Sequence, residues 1–198
     1  MNKIISTAIA GTALLAGGCT ASTRNAPVEA TRYHLGQPME RTTIAIEPMT
    51  GAAQLSPEYQ LYADAVGAEL GRLGYVQSSS EMASGYIVAV SFVRAPRGEF
   101  RERPPVSIGL GGGSFGSGGG VGGGVSFGLG GKRRDVTASE LWVQLRRRSD
   151  NTTVWEGRAM TDSISGARGS DPRDTAARLA RGLFKDFPGE SGITTTTR

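Results

Sequence analysis

Residues 136–161 read VTASELWVQLRRRSDNTTVWEGRAMT. From Val136 to Arg148 the stretch alternates. Leu141, Val143 and Leu145 share one face, and Trp142, Gln144 and Arg146 share the other. A period of two is that of a strand with one face turned to a core. Ser149-Asp150-Asn151-Thr152 carries turn chemistry, because short polar side chains bond the nearby backbone and Asn tolerates the left-handed region. Thr153 to Thr161 returns as the partner strand, so the stretch predicts a hairpin about residue 150. Trp142 and Trp155 are expected to face each other's strands across the hairpin, packed in the core or at an edge, with an exposed aromatic partner site as the alternative. Arg146-Arg147-Arg148 reads as a solvated strand end.

Two segments have the helical period needed to cover that hairpin. Ser56-Pro57-Glu58 opens the first with a capping serine, a proline at the first helical position and an acid in the first turn. Tyr59, Tyr62, Ala63, Val66, Leu70 and Leu73 follow at helical spacing, and Gly74-Tyr75 closes the segment. Ser170-Asp171-Pro172, with Asp174 in the first turn, opens the second. Its apolar stripe is Ala176, Leu179, Ala180, Leu183, Phe184 and Phe187, and Pro188-Gly189 ends it. Asp162, Asp171 and Asp174 read as turn and helix-start residues.

Two further strands are predicted over Thr42–Met49, ended by Pro48, and over Gly85–Val93, which is rich in β-branched and aromatic residues. The expected fold is therefore α+β: a mixed or antiparallel sheet of four to five strands, with two helices packed on one face. The expected order is β-α-β-(Gly-rich hairpin)-β-β-α.

The chain's first residues carry an address. Lys3 gives a positive n-region, Ile4 to Ala16 an apolar stretch too short to span a membrane, and Leu15-Ala16-Gly17-Gly18-Cys19 resembles a bacterial lipobox. Cys19 is the only cysteine in the chain and so has no partner for an internal disulfide; lipidation gives it a purpose. Several acyl chains, such as palmitate, at roughly 0.8 kcal/mol per buried methylene would anchor the protein without a spanning helix. Thr20, rather than aspartate, follows Cys19, which by resemblance to enterobacterial sorting favours the outer membrane. The expected organisation is a signal peptide at 1–18, a lipidated N-terminus and tether at 19–30, one α+β domain at 31–192 with a Gly-rich insert at 104–131, and a tail at 193–198.

Without residues 1–18 the chain keeps 21 basic against 18 acidic residues, a net charge of +3. That is too mild to point to nucleic acid, and export argues the same way. The length outside the leader and the insert suffices for one core without a disulfide.

TRYHLGQ (31–37), TIAIEPM (43–49), EYQLYADAVGAELGRLGY (58–75), SDNTTVWEGRA (149–159) and LFKDFPGESG (183–192) resemble the bacterial envelope lipoproteins grouped as domain of unknown function 4136. VWEGRA and FPGESG are the most specific parts. The resemblance covers nearly the whole mature chain and implies an α+β envelope domain behind a lipid anchor. It implies no reaction and carries over no catalytic residue. The departure is the Gly-rich insert, longer and purer than the domain requires. A similar layout, at the level of fold alone, occurs in lipoproteins that assist secretion or cell-wall synthesis.

In that insert, 14 of the 26 residues from Val106 to Gly131 are glycine. Gly112–Gly116 and Gly124–Gly128 fit G-x-S-x-G formally, but a nucleophile elbow needs a strand before and a helix after it, and glycine opposes the helix. The only histidine, His34, lies upstream of both serines, against the hydrolase order. Gly128-Leu-Gly-Gly-Lys-Arg133 lacks the first glycine of a P-loop and the hydroxyl residue after its lysine. One histidine and one acylated cysteine make no metal cluster, so no cofactor is expected.

The insert has an order of its own, because Val106-Ser-Ile-Gly-Leu-Gly-Gly112 recurs as Val125-Ser-Phe-Gly-Leu-Gly-Gly131. Antiparallel pairing with Leu110 opposite Val125, Ile108 opposite Phe127 and Val106 opposite Leu129 places all six on one face. These six residues are the expected interaction surface, with Arg97, Arg101 and Arg103 before it and Lys132, Arg133 and Arg134 after it. The functional expectation is a non-enzymatic, outer-membrane-anchored protein facing the periplasm, held by membrane lipid through acylated Cys19. It would work through an envelope protein partner. The alternative is an accessory or pore-forming subunit of a secretion or assembly complex that uses the Gly-rich hairpin.

Overall fold

The computed structural model describes residues 24–49, 56–78, 84–101, 106–110, 125–129 and 133–198. Cys19 and the stretch read as a signal peptide lie outside them. The elements run β1 (Val28–His34), β2 (Thr43–Pro48), α1 (Pro57–Arg72), β3 (Val76–Gln77), β4 (Tyr86–Arg101), β5 (Val106–Leu110), β6 (Val125–Leu129), β7 (Arg133–Arg147), β8 (Thr153–Ile164), α2 (Pro172–Phe184) and β9 (Thr194–Thr197).

The sheet has seven strands in the order β3-β2-β4-β7-β8-β1-β9, which corrects the expectation of four to five. It is mixed: β2 pairs parallel with β3 and β4, and the other neighbours pair antiparallel. Parallel neighbours need a crossover, and α1 supplies it. The three added strands share a reason for escaping the sequence. In β1, Arg32 occupies a buried, core-facing position in line with Val28 and Ala30 and breaks the apolar alternation. β3 is two residues long, too short for any period. β9 is four threonines, β-branched but without apolar contrast, and it forms on the edge offered by β1. Thus β1 begins inside the stretch read as tether, and β9 occupies the stretch read as tail.

The hairpin about residue 150 forms as read: Leu141, Val143 and Leu145 are fully buried. Rows across the sheet fix the faces. Ile46, Val88, Leu145 and Trp155 stand opposite one another in succession. A Cβ on Gly67 of α1 would meet Ile46, and Trp155 stacks on Phe184 of α2, so both helices cover this one face. On the same face Tyr62 of α1 stacks on Phe92 at 4.4 Å between centroids.

Ser56 caps α1 by accepting the Tyr59 N–H at 3.0 Å, and Gly74 follows the helix at φ +93°, a conformation that favours glycine. Asp171 caps α2 through the Asp174 N–H at 3.0 Å. This helix stops at Phe184, so Phe187 packs from the following loop rather than from the helical stripe. Asp162 is not a turn residue but lies within β8. The two repeats of the insert pair as β5 and β6 with Val106 opposite Leu129, Ile108 opposite Phe127 and Leu110 opposite Val125. Their side chains, like the glycine segment between them, lie outside the described residues.

Candidate functional site: the helix-free face and the latch behind it

The second face of the sheet has no helix over it among the described residues. Val93, Glu140, Met160 and Glu29 form one row across β4, β7, β8 and β1. Ser91, Trp142, Arg158 and Thr31 form the next, and Ala89, Gln144, Glu156 and Tyr33 the one after. Val93 is 58% exposed, Tyr33 54% and Met160 49%, a large exposure for apolar side chains in strands. Polar side chains on this face are bonded to one another, and two of its arginines are paired with acids. The Arg158 guanidinium lies 4.5 Å from the Trp142 ring centroid and its Nε 3.5 Å from Glu140 Oε1. Gln144 Nε2 donates to Glu156 Oε2 at 2.9 Å, and Arg146 pairs with Glu47. Arg147 pairs with Asp150, and Arg148 reaches Ser84 Oγ, so the arginine run read as a solvated end is tied into the sheet. Where β4 and β7 leave the core, Val93, Ala95, Ala138 and Met160 line a shallow depression of about 460 Å³. Arg97 closes its rim, with Nη1 2.9 Å from both Asp162 oxygens.

Trp142 and Trp155 therefore stand on opposite faces. Trp155 is 1% exposed and stacks on Phe184 at 5.3 Å, while Trp142 stays on the helix-free side with its indole N–H unpartnered among the described residues.

Behind the sheet the C-terminal end of α2 is latched. Arg32, 2% exposed, donates from Nε to the Leu183 carbonyl at 2.7 Å and from Nη2 to the Gly182 carbonyl at 2.6 Å. Its Nη1 reaches Thr195 Oγ1 of β9 at 2.9 Å. Free carbonyls at a helix C-terminus carry partial negative charge, and a guanidinium satisfies them with fixed fork geometry. Burial pulls this guanidinium below its ordinary pKa, and the nearby Asp186 acts the other way. Trp155 donates its indole N–H to the Pro188 carbonyl at 3.0 Å. His34 Nδ1 accepts the Gly36 N–H at 3.1 Å, which leaves Nε2 to donate to the Gly189 carbonyl, also at 3.1 Å. Gly157 lies under this cluster: a Cβ there would meet the Trp155 ring at 2.6 Å and Leu183 at 2.7 Å.

VWEGRA and FPGESG thus meet across the molecule through the Trp155–Pro188 bond and the packing of Trp155 on Phe187. The pattern defined as Domain of unknown function (DUF4136) matches residues 40–189.

The chain belongs to the DUF4136 family.

An uncharacterized protein of Zymomonas mobilis subsp. mobilis is similar at 28% identity over 211 residues, covering 85% of this chain and 79% of that relative. Among solved structures, a PDZ domain protein from Parabacteroides distasonis aligns at 9% identity and TM-score 0.46, over 87% of this chain and 39% of its own. This chain thus spans about two fifths of that protein's length. The PelC dodecamer from Paraburkholderia phytofirmans aligns at 10% identity and TM-score 0.44, over 83% of this chain and 99% of that one.

Of the residues singled out in this DUF4136 chain, His34 belongs to the latch, and Asp171 is a helix cap. Its carboxyl is held below the ordinary range, first by the Asp174 N–H. Asp174 is shifted up by the hydrogen bond to Asp171, so the pair explains itself as a cap. Among the described residues no group of three or more His, Cys, Asp or Glu gathers at metal-holding distance. None of the helices there is long and apolar enough to cross a membrane. Sequence reasoning separated the Trp142 face from the Leu141 face correctly but did not find Tyr33 or Met160. Tyr33 lies in a strand hidden by its buried arginine, and Met160 alternates with glycine and alanine rather than with large residues.

Proposed function

We propose that this protein is a non-enzymatic lipoprotein of the bacterial envelope, anchored through acylated Cys19 to the outer membrane and facing the periplasm. It acts by docking an envelope protein partner on the helix-free face of its sheet. One observation carries the docking: Val93, Met160 and Tyr33 stand about half or more exposed on a sheet face where Arg158 is already paired with Glu140 and Arg146 with Glu47. A partner buries such apolar groups without unpairing either arginine. The anchor rests on Lys3, the apolar run Ile4–Ala16 and Gly17-Gly18-Cys19. The non-enzymatic reading is supported by the lone histidine, which spends both ring nitrogens on backbone groups.

The test uses photo-crosslinking residues at Val93 and Met160 in intact cells, with Arg72 on α1 as the control position. Adducts from the sheet positions and none from Arg72 are expected; equal labelling would sink the docking face. Mass spectrometry of the mature N-terminus tests the anchor separately: an unmodified Cys19, or a start elsewhere, overturns it.

A second reading is favoured by the register of β5 and β6, in which Val106, Ile108 and Leu110 pair with Leu129, Phe127 and Val125. It makes the chain an accessory or pore-forming subunit of a secretion or assembly complex, with that hairpin as its contact. Five paired residues fall short of the roughly 9–11 of a spanning strand, so the hairpin would act in assembly with copies of itself. Deleting 106–131 separates the readings: loss of oligomer or leakage supports the subunit, and retained folding, anchoring and crosslinking from Val93 supports the docking face.

A further inference from the structure

A cleft of about 760 Å³ opens where the N-terminal segment, the loop between β8 and α2, and the end of β9 converge. Arg24, Asn25, Arg168, Arg178 and Arg198 line it, together with Ala26 and Pro27, and among the described residues no carboxylate side chain does. Its walls are fixed by polar contacts. Asn25 donates from Nδ2 to the Arg168 carbonyl at 2.9 Å and accepts the Ile164 N–H at 3.1 Å. Arg178 Nη2 donates to the Ala26 carbonyl at 2.6 Å and to Thr161 Oγ1 at 3.2 Å.

Four arginines line the cleft, and none forms an ion pair among the described residues. The exposed Arg24 and Arg168 side chains make no hydrogen bond there either. Arg178 is different: its Nη1 is shielded from water and has no hydrogen-bond partner among the described residues. Burial lowers the pKa of this guanidinium and the charge of Asp174 raises it, with no ion pair between the two among the described residues. The exposed Arg24 and Arg168 are left to meet an anion from outside. Arginine forks fit tetrahedral oxyanions bidentately, and the volume accommodates a phosphate with an organic substituent.

We propose that this cleft is a binding site for a phosphoryl anion, held by Arg24, Arg168 and Arg178. Two sources share that chemistry, an anionic lipid headgroup and free phosphate. The headgroup source rests on the lipid-anchor reading: four residues separate Arg24 from Cys19, a reach of at most about 18 Å over five steps, so an anchored chain holds the cleft near its membrane.

The experiment uses the detergent-purified full chain. One arm titrates inorganic phosphate by calorimetry at low ionic strength. The other measures co-sedimentation of the Cys19→Ala chain with phosphatidylglycerol-containing vesicles against phosphatidylcholine-only vesicles, so that acylation plays no part. Arg24→Gln/Arg168→Gln removes two exposed forks without touching the Arg178 contacts, and is expected to weaken binding about 10-fold or more. Arg72→Gln/Arg133→Gln, with the same charge change elsewhere, is expected to bind as the parent does. Phosphate binding weakened by the first pair alone identifies free phosphate. Vesicle binding weakened in that way, without phosphate binding, identifies a headgroup. Either result supports the site whether or not Cys19 proves acylated. No binding in both arms, or an equal loss in both variant pairs, overturns it.

Discussion

Arg32 Nη2 sits 2.6 Å from the Gly182 carbonyl, with the strand that begins the sheet thereby bonded to the helix that ends the core. The same guanidinium holds Leu183 and Thr195, so β1, α2 and β9 share one charged knot. Removing it leaves two buried carbonyls with nothing to accept.

Arg32→Met is therefore expected to lower unfolding stability by about 3 kcal/mol, from the loss of two charge-assisted bonds and the carbonyls left unpaired. Urea denaturation measures it. Arg32→Lys should recover less than half, because an ammonium cannot span both carbonyls in the guanidinium's fork geometry. A lysine variant as stable as the parent would show that charge alone matters.

Gly157→Ala and Gly71→Ala should move stability in opposite directions. At Gly157 a Cβ would meet Trp155 and Leu183 below 3.0 Å, and overpacking of this kind costs about 1–3 kcal/mol. At Gly71, inside α1, a Cβ meets nothing within 4 Å, and alanine should add about 0.5–1 kcal/mol. Thermal unfolding of the two variants side by side reads the contrast as Tm shifts of about 2–4 °C per kcal/mol.

The two tryptophans should differ sharply in cost. Trp155→Ala removes a fully buried ring stacked on Phe184 and a hydrogen bond to Pro188, and about 3–5 kcal/mol should be lost. Trp142→Ala removes a ring from the helix-free face and its contact with Arg158, and about 1 kcal/mol is expected. Denaturation midpoints that coincide for the two variants would contradict the two-faced sheet.

Alkaline pH should loosen the fold through its tyrosines. Burial, and then the charge of Glu47, push the Tyr59 hydroxyl up to about 12, and burial raises Tyr62 and Tyr75 in the same direction. A group that ionises later when folded favours the folded state fully below the unfolded pKa of about 10, and that advantage is lost as pH rises through the folded value. Stability should decline between about pH 10 and pH 12. Tyr59→Phe should flatten the decline and cost little at neutral pH, because its hydroxyl is buried without a partner among the described residues. Equilibrium unfolding across that pH range checks both points.

Much of this was legible because its signal is local. Leu141, Val143 and Leu145 set against Trp142, Gln144 and Arg146 settled the hairpin and its two faces, and both faces lie as that alternation requires. Ser56 and Asp171 announced their helices by capping chemistry within three residues. Strand β1 was not legible, because an arginine facing a core contradicts local pattern until helix carbonyls some 150 residues away are in place. The arginine-lined cleft was hidden because Arg24, Arg168, Arg178 and Arg198 are not close in sequence as a set.

The sequence by itself determined the α+β class, the main hairpin, both helix starts and the pairing of the two glycine-flanked repeats, since each is written in spacing between near neighbours. Tertiary structure alone decided that the sheet has seven strands, that Arg32 is a buried helix clasp and that one sheet face carries no helix among the described residues. Strand addition at an edge and burial of a charge depend on partners distant in the chain. Their free energy exists only when backbone donors, carbonyls and guanidinium groups have already been brought together.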